Sequence, residues 1–217
     1  MSTKRQPDLT RQRLLESAFN EIHRFGFRSA SLESILKDTH VTKGALYHHF
    51  RNKTDLGYAV VDEVLKPWVE TRWRPIFESD KPIDAALAVL HERLAEMSDE
   101  EIALGCPLNN LCQEMSGLDE GFQQRLNSIL NAWRNGIAEA MRNGQNNGNV
   151  RQDIDPDACA AFVVGSIEGC MGMAKASQDA AMLRLAMLGL AQFLEAMRPC
   201  QESKGASNGH TNNKTTH

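Results

Sequence analysis

No two cysteines in this chain are spaced as CxxC. The five present, at 106, 112, 159, 170 and 200, are odd in number and irregularly placed. That excludes a disulfide framework and a cysteine zinc site as organising principles. The N-terminal stretch "MSTKRQPDLTRQR" is polar and basic, with no apolar segment behind it, so it does not read as a secretory signal. No apolar run approaches the roughly 18 residues that would suggest a membrane span. The chain is therefore expected to be cytoplasmic, with no membrane partner. Aromatic residues are sparse, at 6%, and no Val/Ile/Thr alternation of strand type occurs anywhere. At 217 residues there is still ample length for one large or two small helical domains.

What is present is unevenly distributed. Residues 1–54 hold 10 Lys and Arg against 5 Asp and Glu, whereas the whole chain carries a formal charge of −4. A basic head on an acidic body fits a small nucleic-acid-binding module joined to something else; an ordinary uneven surface would give the same count.

Hydrophobic periodicity is helical throughout. Leu14, Ala18, Ile22 and Phe25 form the stripe of a helix over 10–25 that Gly26 ends. Ser31 can cap a short second helix, "SLESILKD", and a tight connection through His40 leads to a third over 42–48. Asn52 and Asp55 open a fourth, with Leu56, Val60, Val64 and Trp68 as its apolar face and Pro67 and Pro75 expected to kink or end it. Further helices are expected over 83–97, 107–115, 119–143, 156–176 and 179–197. The polar tail 199–217 is expected to be disordered.

The stretch "VTKGALYHHF", 41–50, concentrates the chemistry. His48 and His49 are adjacent, hence about 100° apart on a helix, and no paired carboxylates accompany them, which argues against a metal. A catalytic Tyr/His/Lys cluster would lack an acid–base partner and an oxyanion loop. A purely structural helix leaves the polar set Thr42, Lys43, Tyr47 and His48 unexplained. Short helix, short turn, short helix is instead helix-turn-helix geometry, whose second helix enters the major groove. Ala45 and the Thr42 methyl suit thymine's methyl, Lys43 suits phosphate or guanine, and Gly44 lets the backbone approach closely. Lys53, in the first turn of the next helix, suits a phosphate.

With these residues, "TRQRLLESAFNEIHRFGFRSASLESILKDTHVTKGALYHHFRNKTDL" resembles the DNA-binding domain of the TetR family of bacterial repressors. The likeness runs without a gap, and its core, Lys-Gly-x-Leu-Tyr-x-His-Phe, has fixed spacing. One departure is His40, where the family usually places glycine. The resemblance implies an all-α, TetR-like fold. A three-helix domain over 8–54, with its helix-turn-helix at 31–50, would contact DNA through Ser31, Thr42, Lys43, Gly44, Ala45, Tyr47, His48 and Lys53. A larger helical domain over 55–198 would bind a small effector and form a homodimer. The protein would be a repressor on a palindromic double-stranded operator, with no catalytic residue, metal or cofactor.

For the dimer, the last two long helices offer Ala160, Gly165, Gly169 and Gly172, and Leu183, Met187, Leu190 and Leu194; packing within one subunit would use the same stripes. "GCPLNNLCQEM" and "EGCMGMAKAS" resemble facing walls of the effector pocket in one TetR subgroup. Cys106, Asn109, Asn110, Gln113, Trp133, Met171 and Lys175 are the candidate lining residues, although Met, Cys and Trp in a helical core commonly just pack. Should Lys175 face Cys106, its ammonium would favour the thiolate and make the position a sensor of oxidants or electrophiles. A transcriptional activator is a further alternative. An all-α enzyme using Cys106 as nucleophile would lack a neighbouring histidine or acid in sequence.

Overall fold

The computed structural model describes residues 5–199. Cys200 and the tail expected to be disordered lie outside the described residues. The head consists of α1 (Arg5–Phe25), α2 (Leu32–Thr39) and α3 (Lys43–His49). A rod follows: α4 (Lys53–Val60), one π-helical turn (Val61–Leu65) and α5 (Lys66–Phe77). The body adds α6 (Pro82–Glu96), α7 (Asp99–Leu104), α8 (Pro107–Met115), α9 (Glu120–Asn146), α10 (Pro156–Ser177) and α11 (Ala180–Glu195). α10 packs between α9 and α11, while α5 packs on α6 and α9.

Local chemistry sets the head's boundaries. The Ser31 hydroxyl accepts from Ser34 N, that of Thr42 from Ala45 N, and the Asn52 side chain from Asp55 N, so each helix from α2 to α4 opens on a side-chain cap. His40 ends α2 with φ 55° and ψ 28°, the left-handed conformation that glycine adopts at no steric cost. The α1 stripe is corrected at one position. Leu14, Ala18 and Ile22 are buried as expected, but Phe25 is exposed and Phe27 packs inward in its place.

The rod departs from expectation more. Neither Pro67 nor Pro75 breaks it: the helix runs on to Phe77, with Pro67 in the first turn of α5 and Pro75 in its last. The π turn lies immediately before Pro67, where an i→i−4 partner for the ring nitrogen would be missing. Its extra residue slips the apolar face by one position. Leu56 and Val60 are buried as the α-period predicts, but the inward row continues as Val61, Leu65, Val69 and Trp73. Val64 and Trp68, expected on that row, are only partly buried.

In the body, α7 has no counterpart among the expected helices. It begins with a capping box in which the Ser98 hydroxyl accepts from Glu101 N and the Glu101 carboxylate accepts from Ser98 N. The stripes assigned to a dimer interface divide. Ala160, Leu183, Met187, Leu190 and Leu194 are buried within the chain. Gly165 and Gly169 face open space, and Gly172 faces Asn109. The exposed apolar residues of α10 and α11 are Phe162, Met173, Leu185 and Leu188. By length and composition α10 is apolar enough to cross a membrane, contrary to the expectation that no segment is. Seven of its residues, from Cys159 to Ala174, are buried against the rest of the chain.

Candidate nucleic-acid interface and effector cavity

α3 has two faces. Leu46 is fully buried and Phe50 nearly so, and the helix packs on α1. Thr42, Lys43, Gly44, Tyr47 and His48 are exposed on the other side, and Ala45 is half-buried. Gly44 is informative because a methyl group there would meet nothing within 4 Å. Glycine inside a helix costs about 1 kcal/mol relative to alanine, and no contact within the protein offsets that cost. Ser31 and Thr42 hold the expected places, with their hydroxyls engaged as caps.

Lys53 has a further role that the sequence did not suggest. Its ammonium donates to Arg28 O at 3.0 Å and lies 5.2 Å from the centre of the Phe27 ring. Partial burial lowers its pKa, and Glu114 and Glu21 work in the opposite direction. Glu114, near the end of α8, accepts from Phe27 N at 2.7 Å and Arg28 N at 2.8 Å. At the other end of the same helix, the His23 ring meets Gly105 O at 2.8 Å. Tyr58 donates to Asp119 at 2.7 Å, and the rings of Phe27 and Tyr58 both pack on Phe122. The head is thus tied to α8 and α9 by directional contacts and by a shared aromatic cluster.

Inside the body, α5 to α11, with His23 of α1, line a cavity of about 110 Å³. Cys106, Trp133 and Met171 line it, as expected. Asn109, Asn110, Gln113 and Lys175 do not; they lie along an outer cleft between α8 and the end of α1. The reason is helical phase: Cys106, Pro107 and Leu108 begin α8 at the cavity, and the next two residues turn away. Asn110 accepts from Lys175 at 2.9 Å and donates to Leu104 O at 2.8 Å, while Asn109 donates to Glu168 O at 3.2 Å.

The expected pairing of Cys106 with Lys175 is therefore corrected. The Cys106 thiol donates to Glu168 Oε1 at 3.3 Å. Burial first, and the Glu168 carboxylate second, push that thiol well above its ordinary pKa, which disfavours the thiolate. Burial likewise raises Cys112 to about 12 and Cys159 to about 11.

Several cavity residues escaped the sequence reading. Trp73 stacks on Trp133 with centroids 4.6 Å apart. The Arg72 guanidinium sits 3.4 Å from the centre of the Trp68 ring, and burial, with Arg93 beside it, lowers its pKa to about 10. Burial raises the Glu168 carboxyl to about 7. Among the described residues, Trp133 Nε1 and Glu168 Oε2 are buried without a hydrogen-bond partner. Glu168 carried a signal: it is the one charged residue of α10 from Ala158 to Met173. Arg72 and Arg93 carried none, because their position depends on the slipped phase of the rod and on the packing of α6.

Comparison with known proteins agrees with this architecture. Residues 14–60 match the family model of bacterial regulatory proteins of the tetR family, and residues 82–190 match that of the tetracyclin repressor-like C-terminal domain. The chain is 34% identical over 160 residues to the transcriptional regulator AcuR of Cereibacter sphaeroides, covering 72% of this chain and 73% of that one. It is 26% identical over 161 residues to the repressor DhaR of a Mycobacterium species, covering 74% and 80%. The crystal structure of a regulatory protein TetR from Rhodobacter sphaeroides superposes with a TM-score of 0.74 at 28% identity, covering 85% of this chain and 98% of that one. The matched models span both the head and most of the body, and the chain belongs to the TetR family of DNA-binding transcriptional regulators, which are not enzymes.

Proposed function

We propose that the protein is a homodimeric repressor that binds a palindromic operator and leaves it when a small effector enters the body cavity. In this reading residues 8–54 bind DNA, residues 55–198 hold the effector and the dimer interface, and the protein acts in the cytoplasm, where its operator lies. The observation that carries it is the exposed face of α3. Lys43, Gly44, Tyr47 and His48 point outward beside Thr42, and the glycine has no neighbour among the described residues to account for it. A backbone that must come close to DNA gives it a reason. Thr42 and Ala45 supply methyl groups for thymine, Lys43 and Lys53 supply cations for phosphate, and Ser31 stands at the start of the preceding helix. Contact of Lys53 with phosphate would replace its bond to Arg28 O.

Dimerisation follows from groove geometry. Two recognition helices must face successive major grooves, roughly 34–36 Å apart. The exposed Phe162, Met173, Leu185 and Leu188, with the open Gly165 and Gly169 between them, support α10 and α11 as the interface. Release would be a population shift: effector favours a conformer in which the heads are wrongly spaced. The ties from α8 to the head, through Glu114 and through the contact of His23 with Gly105, support α8 as the transmitting element. The buried thiol of Cys106, facing a carboxylate, favours a reversible ligand over an electrophile sensor.

Selection of genomic fragments on the purified protein, followed by gel shifts, tests the reading. Lys53→Ala should weaken binding equally for all sequences, whereas Tyr47→Ala and Thr42→Ala should change sequence preference. Failure to bind any genomic fragment at low salt would overturn it.

A further inference from the structure

The groups around the body cavity differ in whether they have partners. Glu101 is committed to the capping box of α7, where it accepts from Ser98 N at 2.9 Å. Glu96 pairs with Arg93 at 3.4 Å. Glu168 accepts the Cys106 thiol through one oxygen, and its other oxygen has no partner. Arg72 lies flat on Trp68, and among the described residues no carboxylate forms an ion pair with it. The Trp133 indole N–H is buried without an acceptor. Arg72 and Arg93 also repel one another, while Glu101 and Glu96 attract Arg72 without bonding to it. The groups left unanswered are therefore two donors, the Arg72 guanidinium and the Trp133 N–H, against one carboxyl oxygen.

From this we infer that the cavity binds a small organic anion, a carboxylate on a short apolar body, held by the Arg72 guanidinium and the Trp133 N–H. The inference rests on the reading of this cavity as the effector site and names the class of effector. Arg72 presents a planar fork that matches a carboxylate, and its stacking on Trp68 holds that fork in place. An anion set between Arg72 and Arg93 relieves their repulsion. Burial raises the Glu168 carboxyl to about 7, so near neutrality much of it is protonated and can donate as well. The largely apolar wall, which includes Leu90, Met171 and Met187, gives the remainder of the ligand mainly hydrocarbon to touch, with His23 as a further polar neighbour. Size limits the class further. The interior is about 110 Å³, and a dry cavity of about 150 Å³ suffices for benzene, so the body has no more than about six carbons. An organic cation would meet two guanidiniums, with the committed Glu101 carboxylate and a partly neutral Glu168 in its favour.

The stacked pair Trp73 and Trp133 supplies the readout. Intrinsic fluorescence of the full-length protein is titrated with propionate, butyrate and hexanoate, with propionamide and butyramide as uncharged counterparts, and with tetramethylammonium. Saturable quenching or enhancement by the acids, at least tenfold tighter than by the amides, is the expected result. Arg72→Gln should abolish that difference, and Arg72→Lys, which keeps charge but loses the fork, should weaken acid binding about tenfold. Equal binding of acids and amides, preference for tetramethylammonium, or no binding of any acid overturns the inference. The acid–amide comparison uses the unaltered protein, so it decides even if Arg72→Gln fails to fold. A gel shift in the same acids separates the two readings. Acids that bind yet leave an operator complex intact would leave the anion site standing and remove the effector role. Operator binding without acid binding would do the reverse.

Discussion

Ser31, Thr42 and Asn52 each close the first turn of a helix in or next to the head, while Trp133 and Glu168 in the body bury polar atoms that no described residue answers. Both regions keep chemistry in reserve, but in different places. The head caps its short helices locally and turns its surplus donors to the outside, where an extended polyanion can reach them. The body turns its surplus inward, into a space that admits only a small molecule. A buried group without a partner is costly, and one facing water is not, so the body has more to gain from a ligand of the right chemistry. That asymmetry is what a switch needs: one surface ready at all times, and one cavity whose occupant changes the balance.

The comparison can be broken first at the seam. Phe122 is fully buried between Phe27 of the head and Tyr58 of the rod. Phe122→Ala should cost about 3–5 kcal/mol and split a single calorimetric transition into two, as the head loses its attachment to the body. A single, unshifted transition would mean that the two regions do not share a core.

The next effect tests whether the outward surface depends on the body. Gly169 faces open space, so Gly169→Glu should leave the subunit folded and place an unpaired carboxylate in the proposed interface. Sedimentation should show monomers, and operator affinity should fall at least about 100-fold although the head is unchanged. A mutant that remains dimeric would move the interface elsewhere.

Glu168 sharpens the inward side. Its folded pKa, about 7, lies above the ordinary carboxylate value of 4.5. The neutral form is favoured on folding, so its contribution is fully present below pH 4.5 and is lost as pH rises through 7. The wild type should lose about 3 kcal/mol of stability across that window relative to Glu168→Gln. Urea denaturation of both proteins at pH 5 and pH 8 measures the difference. The smallest effect belongs to Gly44. Gly44→Ala should stabilise the head by about 0.5–1 kcal/mol and weaken operator binding, an opposition of sign that gel shifts and thermal melts together would detect.

The two regions also differ in how far the sequence disclosed them. Caps, turns and the outward face of α3 depend on residues within a few positions of one another, so Ser31, Asn52 and the turn at His40 were legible, while Thr42, expected as a DNA contact within the helix, also proves to be its cap. The long helices α8 to α11 were legible from their period, to within a few residues at their ends. The cavity was not, because its wall draws on eight helices and its charged groups owe their places to tertiary packing. Leu183 and Met187 show the limit: their spacing marked an apolar face without saying whether it meets this chain or a second copy. α7 was missed although "SDEE" carries its capping box, because six residues are too few to show a period. Asn109, Asn110, Gln113 and Lys175 followed from resemblance of segments, and resemblance does not fix which side of a helix faces inward.

The π turn at Val61–Leu65 holds the one extra residue of the rod. Each residue of an α-helix advances the next by about 100°, and the π turn takes up one residue without passing that rotation on to α5. A deletion of Asp62 or Glu63 would keep every apolar side chain of the segment and could even restore a regular helix. Leu65 would then follow Val60 at the α spacing, so Arg72 and Trp73 would stay on the cavity wall, whereas the same deletion between Lys66 and Thr71 would put Trp73 in the place of Arg72. The rod thus has one stretch in which chain length can change without altering the cavity, and it lies just before the stretch in which it cannot. Related chains that lack one residue in this turn should be expected to keep the same wall.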